Sequence, residues 1–183
     1  MKPRLKITPF SVDDVQIYHE IALASFLGTL PESKQFMPWC HPHYSLSEVE
    51  HWVNLQTILW NTGQTYGFTI YQLETGLFLG AVEIAHVNLT EQYANIGYWM
   101  NAAETGKGYA TEAAYLAAKF AFEELGLQRL HAYCLPENIA SQRIMIKIGA
   151  KFSNDIPNYA YIDSEWRTAK FYILTRNDFV KPY

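Results

Sequence analysis

The sequence predicts an α+β fold with a mixed, mostly antiparallel central sheet and helices on both sides. Three observations lead to this class: two capped helical segments come first, three strand-like runs follow, and helices and strands then alternate towards the carboxyl end. Strands grouped together between helices are typical of α+β domains. The chain has 183 residues and no repeat, low-complexity tract or Pro/Gly/Ser linker, so we expect a single domain over residues 1–183.

The first elements are a short strand and two capped helices. Residues 4–7 have a strand-like composition, and a Ser-x-x-Asp pattern at Ser11 begins an amphipathic segment that ends near Gly28. A Ser-x-x-Glu pattern at Ser45 begins a second one, which runs to about Gly63. In such a capping box the serine side chain and the acidic side chain each bind a free backbone N–H group. We therefore predict two helices at these positions.

The middle of the chain reads as an antiparallel meander. Residues 66–73, 76–87 and 93–100 are rich in aromatic and β-branched side chains, and a Glu-Thr-Gly turn and a short polar segment separate them. Runs of this kind between turn residues are typical of strands joined by short connections.

Beyond residue 108 the pattern becomes helical and then mixed. Alanines three and four residues apart predict a helix that ends at Gly126 and packs closely on the sheet. We then expect a strand at 129–135, a helix at 138–148, and two late strands at 151–155 and 166–175.

Composition excludes several classes of protein. The formal net charge is −4 and the chain has no long basic run, so we expect no direct nucleic-acid partner. No signal-peptide pattern and no apolar run of about 18 residues is present, so we expect neither export nor a membrane partner. Cys40 and Cys134 are too few for a disulfide framework, which favours a reduced, cytoplasmic setting. A Cys-His-Pro-His cluster at 40–43 lacks a second ligand pair, so we expect no metal.

The most informative segment is a glycine loop between a strand and a helix. Residues 99–113 read Trp-Met-Asn-Ala-Ala-Glu-Thr-Gly-Lys-Gly-Tyr-Ala-Thr-Glu-Ala. No Ser, Thr, Asp or Asn stands directly before Tyr109, so an external anion is free to bind the N–H groups of the first helical turn. The loop fits neither the P-loop nor the dinucleotide pattern, which needs a third glycine where Thr111 stands. By itself, a Gly-x-Gly pattern is also compatible with a plain tight turn.

A second motif follows about 30 residues later. Residues 136–152 read Pro-Glu-Asn-Ile-Ala-Ser-Gln-Arg-Ile-Met-Ile-Lys-Ile-Gly-Ala-Lys-Phe, after a predicted strand. Together the two motifs resemble the acetyl-CoA-binding core of the GNAT acetyltransferase superfamily, in particular the ribosomal-protein N-terminal (alanine/serine) acetyltransferase branch. The resemblance spans roughly Gly67 to Phe179, and the segment at 36–53 resembles the substrate side of that branch.

The resemblance implies a GNAT-like fold, acetyl-CoA as co-substrate and a set of binding residues. It implies that the thioester lies between two splayed strands, where the backbone N–H near Met100 stabilises an oxyanion, and that Ser141 lies near the sulfur as a candidate acid. Residues implied to bind the pyrophosphate or the pantetheine arm are Gly106, Lys107, Gly108, Tyr109, Ala110, Thr111 and Asn138.

Three of these assignments have alternatives or exceptions. Asn138 is also a suitable N-cap for its helix, with its side chain bound to the N–H of Ser141, and Ser141 is equally compatible with a plain first-turn position. Many members of the superfamily carry Gln or Arg where this chain has Ala103, so one loop contact of the family is missing here.

The sequence indicates the general base and the acceptor site less clearly than the coenzyme site. Glu83, in the middle strand of the meander, is the preferred side-chain base, although an ordinary strand carboxylate would read the same and a positioned water is an alternative. Cys134 is a candidate thiol near the coenzyme sulfur or simply a small apolar residue. Loop residues Trp39, His43 and Tyr44 are candidates for the acceptor pocket.

The predicted function is acetyl transfer from acetyl-CoA to a primary amine by direct attack. The N-terminal amine of a ribosomal or other protein is the first candidate acceptor, and a small amine such as an antibiotic, polyamine or amino acid is the second. A non-catalytic acyl-CoA sensor is a hypothesis of a different class. Aromatic residues in the N-terminal helices would also permit a homodimer.

Overall fold

The computed structural model describes residues 3–28, 36–162 and 164–182. Four helices and seven strands make up this part of the chain, and they follow the predicted order. The strands are β1 (Leu5–Pro9), β2 (Tyr66–Gln72), β3 (Phe78–Asn88), β4 (Tyr93–Met100), β5 (Arg129–Cys134), β6 (Lys151–Ile162) and β7 (Glu165–Thr175). The helices are α1 (Val15–Gly28), α2 (Leu46–Asn61), α3 (Tyr109–Glu123) and α4 (Ile139–Lys147).

The strands form one sheet in the order β1-β2-β3-β4-β5-β7-β6. Every neighbouring pair is antiparallel except β4 and β5, which run parallel. The predicted mixed, mostly antiparallel sheet is therefore confirmed. The parallel pair requires a crossover, and α3 supplies it.

Helices cover both faces of the sheet, as the sequence predicts. On one face, α3 packs against β1, β3 and β4, and its Ala113, Ala114 and Ala117 are fully buried there. Small side chains let this helix approach the sheet closely. On the other face, α1 and α2 pack around Tyr18, Val49 and Val53, which are also buried. The sheet thus separates two hydrophobic cores.

Side chains cap three helical segments as predicted. Ser11 forms a complete capping box with Asp14 before the short 3-10 turn that leads into α1, and Ser45 forms one with Glu48 before α2. Asn138 accepts a hydrogen bond of 3.0 Å from the N–H of Ser141 at the start of α4. The capping role of Asn138 is therefore confirmed.

The late strands are longer than the sequence predicts. We expected a strand at residues 151–155, whereas β6 continues to Ile162 and forms a long hairpin with β7. Register shifts interrupt the pairing around Ile156, and Pro157 lies inside the strand. Because β6 is the edge of the sheet, it tolerates a proline that would break a central strand. Most of its side chains are exposed. The segment therefore lacks the alternation of apolar and polar residues by which a half-buried strand is predicted from sequence.

No helix in the described part of the chain is both long enough and apolar enough to cross a bilayer.

Candidate active site

The two parallel strands separate at the centre of the sheet. Pairing between β4 and β5 covers Tyr93 to Asn95 on one strand and ends there, although β4 continues to Met100 and β5 to Cys134. The carboxyl-terminal halves of these strands therefore leave backbone groups free to bind an extended ligand. The splay that the family resemblance implied is present.

The glycine loop leads from the end of β4 into α3. Gly106 and Gly108 have φ angles of +78° and +84°, a left-handed conformation that favours glycine. Gly108 is the N-cap of α3, no side chain caps this helix, and its first internal donor is the N–H of Glu112. The N–H groups of Tyr109, Ala110 and Thr111 consequently point out of the helix end, where they can bind an anion.

Arg4, which we did not predict as a site residue, lies against this loop. Its guanidinium donates to the carbonyl of Lys107 (2.9 Å) and to the carboxylate of Glu112 (2.9 Å), and it packs over the ring of Tyr109 at 5.0 Å. A positive charge therefore stands beside the anion-binding end of α3. Nothing in the local pattern around residue 4 could have indicated this contact, since it joins positions 108 residues apart.

The space between the splayed strands is a cleft of about 210 Å³. Asn138, Ser141 and Cys134, which the family resemblance places along the pantetheine arm or near its sulfur, all line this cleft. Tyr98 was missed by the sequence analysis: its phenol oxygen lies 3.0 Å from the hydroxyl of Ser141, and its O–H is also 3.1 Å from the carbonyl oxygen of that residue. The cleft thus contains two linked hydroxyl groups.

Burial changes the acidity of two groups in this cleft. Desolvation raises the pKa of Tyr98 well above that of a free phenol, while the hydrogen bond with Ser141 acts in the opposite direction. Desolvation likewise raises the pKa of the Cys134 thiol, and its hydrogen bond with Ser141 lowers it in part. Cys134 is therefore a protonated thiol at neutral pH rather than a ready nucleophile.

A larger cavity of about 580 Å³ adjoins the cleft, and Gly97, Tyr98, Tyr133 and Tyr159 line both spaces. Glu83 of β3 lies in its wall between two glycines, since it pairs with Gly67 on β2 and with Gly97 on β4. A Cβ atom at Gly97 would lie 3.3 Å from the Glu83 carboxylate. The glycine therefore leaves the carboxylate room to face the cavity.

The pKa of Glu83 is raised above its ordinary value. Desolvation is the main cause, and the nearby His86 opposes it. Among the described residues, no hydrogen bond to the Glu83 carboxylate is present, so it is not neutralised by an ion pair. A carboxylate with a raised pKa is a better proton acceptor than an exposed one.

Aromatic side chains form most of the cavity wall. Trp39 and Tyr44 of the predicted acceptor loop line it, whereas His43 is exposed, does not line it and receives no support from the geometry. Burial raises the pKa of Tyr44 to about 12, which keeps its phenol protonated. Further aromatic lining residues that the sequence analysis missed are Phe10, Tyr18, Trp52 and Trp99.

The end of β4 directs a backbone donor towards the splay. The N–H of Asn101 donates to the carbonyl of Leu79 on the β3 side, at 2.8 Å. Because successive residues of a strand direct their N–H groups to opposite edges, the N–H of Met100 points away from β3. That is the edge where pairing with β5 has ended.

The cysteine and histidine loop forms no metal site. Cys40 is buried and its sulfur points at the carbonyl of Ala22, at 3.9 Å, while His41 binds Glu48 at 3.0 Å. Across residues 3–28, 36–162 and 164–182, no group of three or more metal-binding side chains comes together.

Comparison with known families accounts for this arrangement. The sequence profile of the acetyltransferase (GNAT) domain matches residues 4–151, which is most of the chain. The chain belongs to this family. The GNAT fold and the acetyltransferase resemblance deduced from the two motifs are thereby confirmed.

Relatives of known sequence extend the comparison. The N-acetyltransferase YnaD of Bacillus subtilis, itself uncharacterized, is 38% identical over 89 residues, which is 42% of this chain and 52% of YnaD. The spermidine N(1)-acetyltransferase of Escherichia coli is 29% identical over 90 residues, 49% of this chain and 48% of that enzyme. In these two matches, the chain spans only about half the length of the relative.

A solved structure matches nearly the whole chain. A protein from Vibrio cholerae, provisionally assigned as a ribosomal-protein-serine acetyltransferase, superposes with a TM-score of 0.76 at 26% identity. The match covers 96% of this chain and 95% of that structure.

Proposed function

We propose that this GNAT-family protein transfers an acetyl group from acetyl-CoA to the N-terminal amine of a protein. One observation carries the proposal. The uncapped glycine end of α3 follows β4 in the chain, the parting of β4 from β5 opens the cleft, and the cleft adjoins the cavity at Glu83, an order that suits the diphosphate, the pantetheine arm and the acceptor amine.

The residues present fit the coenzyme. The free N–H groups from Tyr109 to Thr111 suit a diphosphate, and Arg4 pairs the Glu112 carboxylate that would otherwise repel it. Unpaired strand edges suit the amide groups of a pantetheine arm, which can extend the sheet as a strand would. When bound, acetyl-CoA supplies an activated thioester carbonyl for attack by an amine.

Glu83 is the proposed base. An α-amine has an ordinary pKa of about 8, so most of it is protonated at pH 7 and must lose a proton before it attacks. Glu83 faces the cavity and its pKa is raised by desolvation, so it accepts that proton more readily than an exposed carboxylate.

Two other groups act on the developing charges. The N–H of Met100 points into the splay, and we propose that it stabilises the negative charge on the acetyl oxygen. We propose that the Ser141 hydroxyl, held by Tyr98 at 3.0 Å, gives a proton to the departing thiolate and regains the proton that the attacking nitrogen loses as the amide forms. Because a thiol is already fairly acidic, this step needs less assistance than deprotonation of the amine.

Two kinds of acceptor compete for this site. The Vibrio cholerae structure supports a protein N-terminus, since it is assigned to ribosomal-protein serine acetylation and aligns over almost the full chain. The Escherichia coli spermidine enzyme favours a polyamine, and the carboxylates of Glu48 and Glu83 on the cavity would suit such a cation. We favour the protein N-terminus because the Vibrio cholerae structure aligns with 96% of this chain, whereas the spermidine enzyme aligns with 49% of it.

The test is an acetylation assay with acetyl-CoA, read by thiol release and by mass spectrometry of the acceptor. Peptides that begin with the N-termini of ribosomal proteins are compared with spermidine, and wild type is compared with Glu83→Gln. We expect peptide acetylation that falls about 100-fold in kcat/KM in the variant, with loss of the rise in rate at increasing pH. Turnover of spermidine alone would move the assignment to the second candidate. Coenzyme binding without turnover of any amine would favour a sensor.

A further inference from the structure

The cavity at Glu83 is larger than a peptide acceptor with a small N-terminal residue would fill. Its volume of about 580 Å³ lies within the range of sites that enclose a whole drug-sized ligand. The amine and the acetyl group need only a small part of it, next to Glu83. The remaining space is available to another part of the acceptor.

The wall is aromatic and fixed in place. Trp39 and Trp99 lie 5.5 Å apart between ring centroids, and Tyr18 and Trp52 lie 5.2 Å apart. The indole N–H of Trp99 donates to the phenol oxygen of Tyr18 at 2.8 Å, which holds the two rings together. Rings that are already ordered lose little entropy on binding, and they favour a flat or large apolar partner.

A second aromatic pair lines the same cavity. Tyr133 of β5 and Tyr159 of β6 stack with their centroids 5.0 Å apart and their planes at 14°. Both residues line the cavity. The cavity lining therefore includes a stacked tyrosine pair besides the tryptophan wall.

The charges on the cavity discriminate among acceptors. Its described lining residues include Glu48 and Glu83 but no Lys, Arg or His. An ammonium group would be attracted by the carboxylates and by the ring faces. A free amino acid would carry a carboxylate beside its amine, and that carboxylate would have no cationic partner among the described lining residues. The lining therefore favours an acceptor whose carboxyl group is tied up in a peptide bond.

On these grounds we propose that the acceptor is a peptide N-terminus whose first residue is aromatic or large and apolar, and that the wall of Trp39, Trp52 and Trp99 selects this side chain. The inference rests on the proposed function, because it specifies the acceptor of the same site.

The experiment compares four peptides that are identical except for a first residue of Phe, Leu, Ala or Ser. We expect kcat/KM for the Phe peptide to exceed that for the Ala peptide by about 10-fold or more. We also expect phenylalaninamide to be a better acceptor than phenylalanine. Equal or faster acetylation of the Ala and Ser peptides would overturn the inference and leave the proposed function standing. Acetylation of none of the peptides would refute the proposed function as well.

A variant of the wall provides the matched control. Trp39 is 37% exposed and belongs to a loop rather than to a core element, so Trp39→Ala should fold. We expect it to lower kcat/KM for the Phe peptide about 10-fold more than for the Ala peptide, and we expect Trp39→Phe to restore most of this difference. An equal loss of kcat/KM for both peptides would mean that Trp39 does not recognise the side chain of the first residue.

Discussion

Arg4, at the start of the chain, holds Glu112 in the first turn of α3 through two hydrogen bonds. The backbone N–H of Arg4 donates to one carboxylate oxygen at 2.8 Å, and its Nε donates to the other at 2.9 Å. Only 11% of the Glu112 side chain is exposed. A buried carboxylate at the end of a helix that binds an anion would repel that anion unless it were paired.

Arg4→Ala should therefore weaken coenzyme binding. The substitution removes the side-chain partner of Glu112 and the contact with the Lys107 carbonyl, so we expect the Kd for CoA to rise about 10-fold. Calorimetry with CoA and with pantetheine, which lacks the diphosphate, measures the effect. The double variant with Glu112→Gln should recover part of the affinity. Equal weakening for CoA and pantetheine would contradict an electrostatic role at the diphosphate.

Gly106 and Gly108 offer a matched pair of substitutions. Both have positive φ angles, so Ala at either position should cost about 1 kcal/mol of stability through backbone strain. A Cβ at Gly108 would lie 3.3 Å from Arg4, whereas one at Gly106 would meet nothing within 4 Å. We expect urea denaturation to show a larger loss for Gly108→Ala. A larger loss of stability for Gly106→Ala would show that the close approach of Arg4 does not further destabilise Gly108→Ala.

Glu83 should reduce the stability of the protein at neutral pH. Its pKa is raised in the folded state, so the folded protein binds this proton more tightly than the unfolded chain does. Stability should be greatest below the ordinary glutamate pKa of about 4.3 and should decrease as pH rises through the folded-state pKa. Glu83→Gln, which never ionises, should have a higher Tm than wild type at pH 7 and a similar one at pH 4. Calorimetric scans at the two pH values check this, and a lower Tm at pH 7 would contradict the sign.

Two substitutions of Asn138 separate capping from ligand contact. Asn138→Ala removes the 3.0 Å cap bond to Ser141 and should cost about 1 kcal/mol, seen as a lower urea midpoint. Asn138→Asp retains a capping oxygen but loses the amide donor. If the amide also binds the pantetheine arm, Asn138→Asp should raise the KM for acetyl-CoA at nearly unchanged stability. An unchanged KM would leave capping as its sole role.

The sequence alone predicted the elements and the parts of the site that are local. Capping boxes at Ser11 and Ser45, the alanine face of α3 and the glycine loop depend on residues within one or two turns of each other. A short stretch of sequence is therefore enough to predict them. The strand β6 was predicted too short because an edge strand with exposed side chains has no such local pattern.

Only the tertiary structure brought the distant members of the site together. Arg4 reaches α3, Tyr98 contacts Ser141 although the two lie 43 residues apart, and Trp39 packs against Trp99 in the wall of the cavity. These contacts depend on which strands pair, where β4 and β5 part, and which loop crosses the opening. Sheet pairing and packing between distant segments are not encoded in the spacing of neighbouring residues, so local patterns identified the glycine loop, while the fold determined the cavity at Glu83.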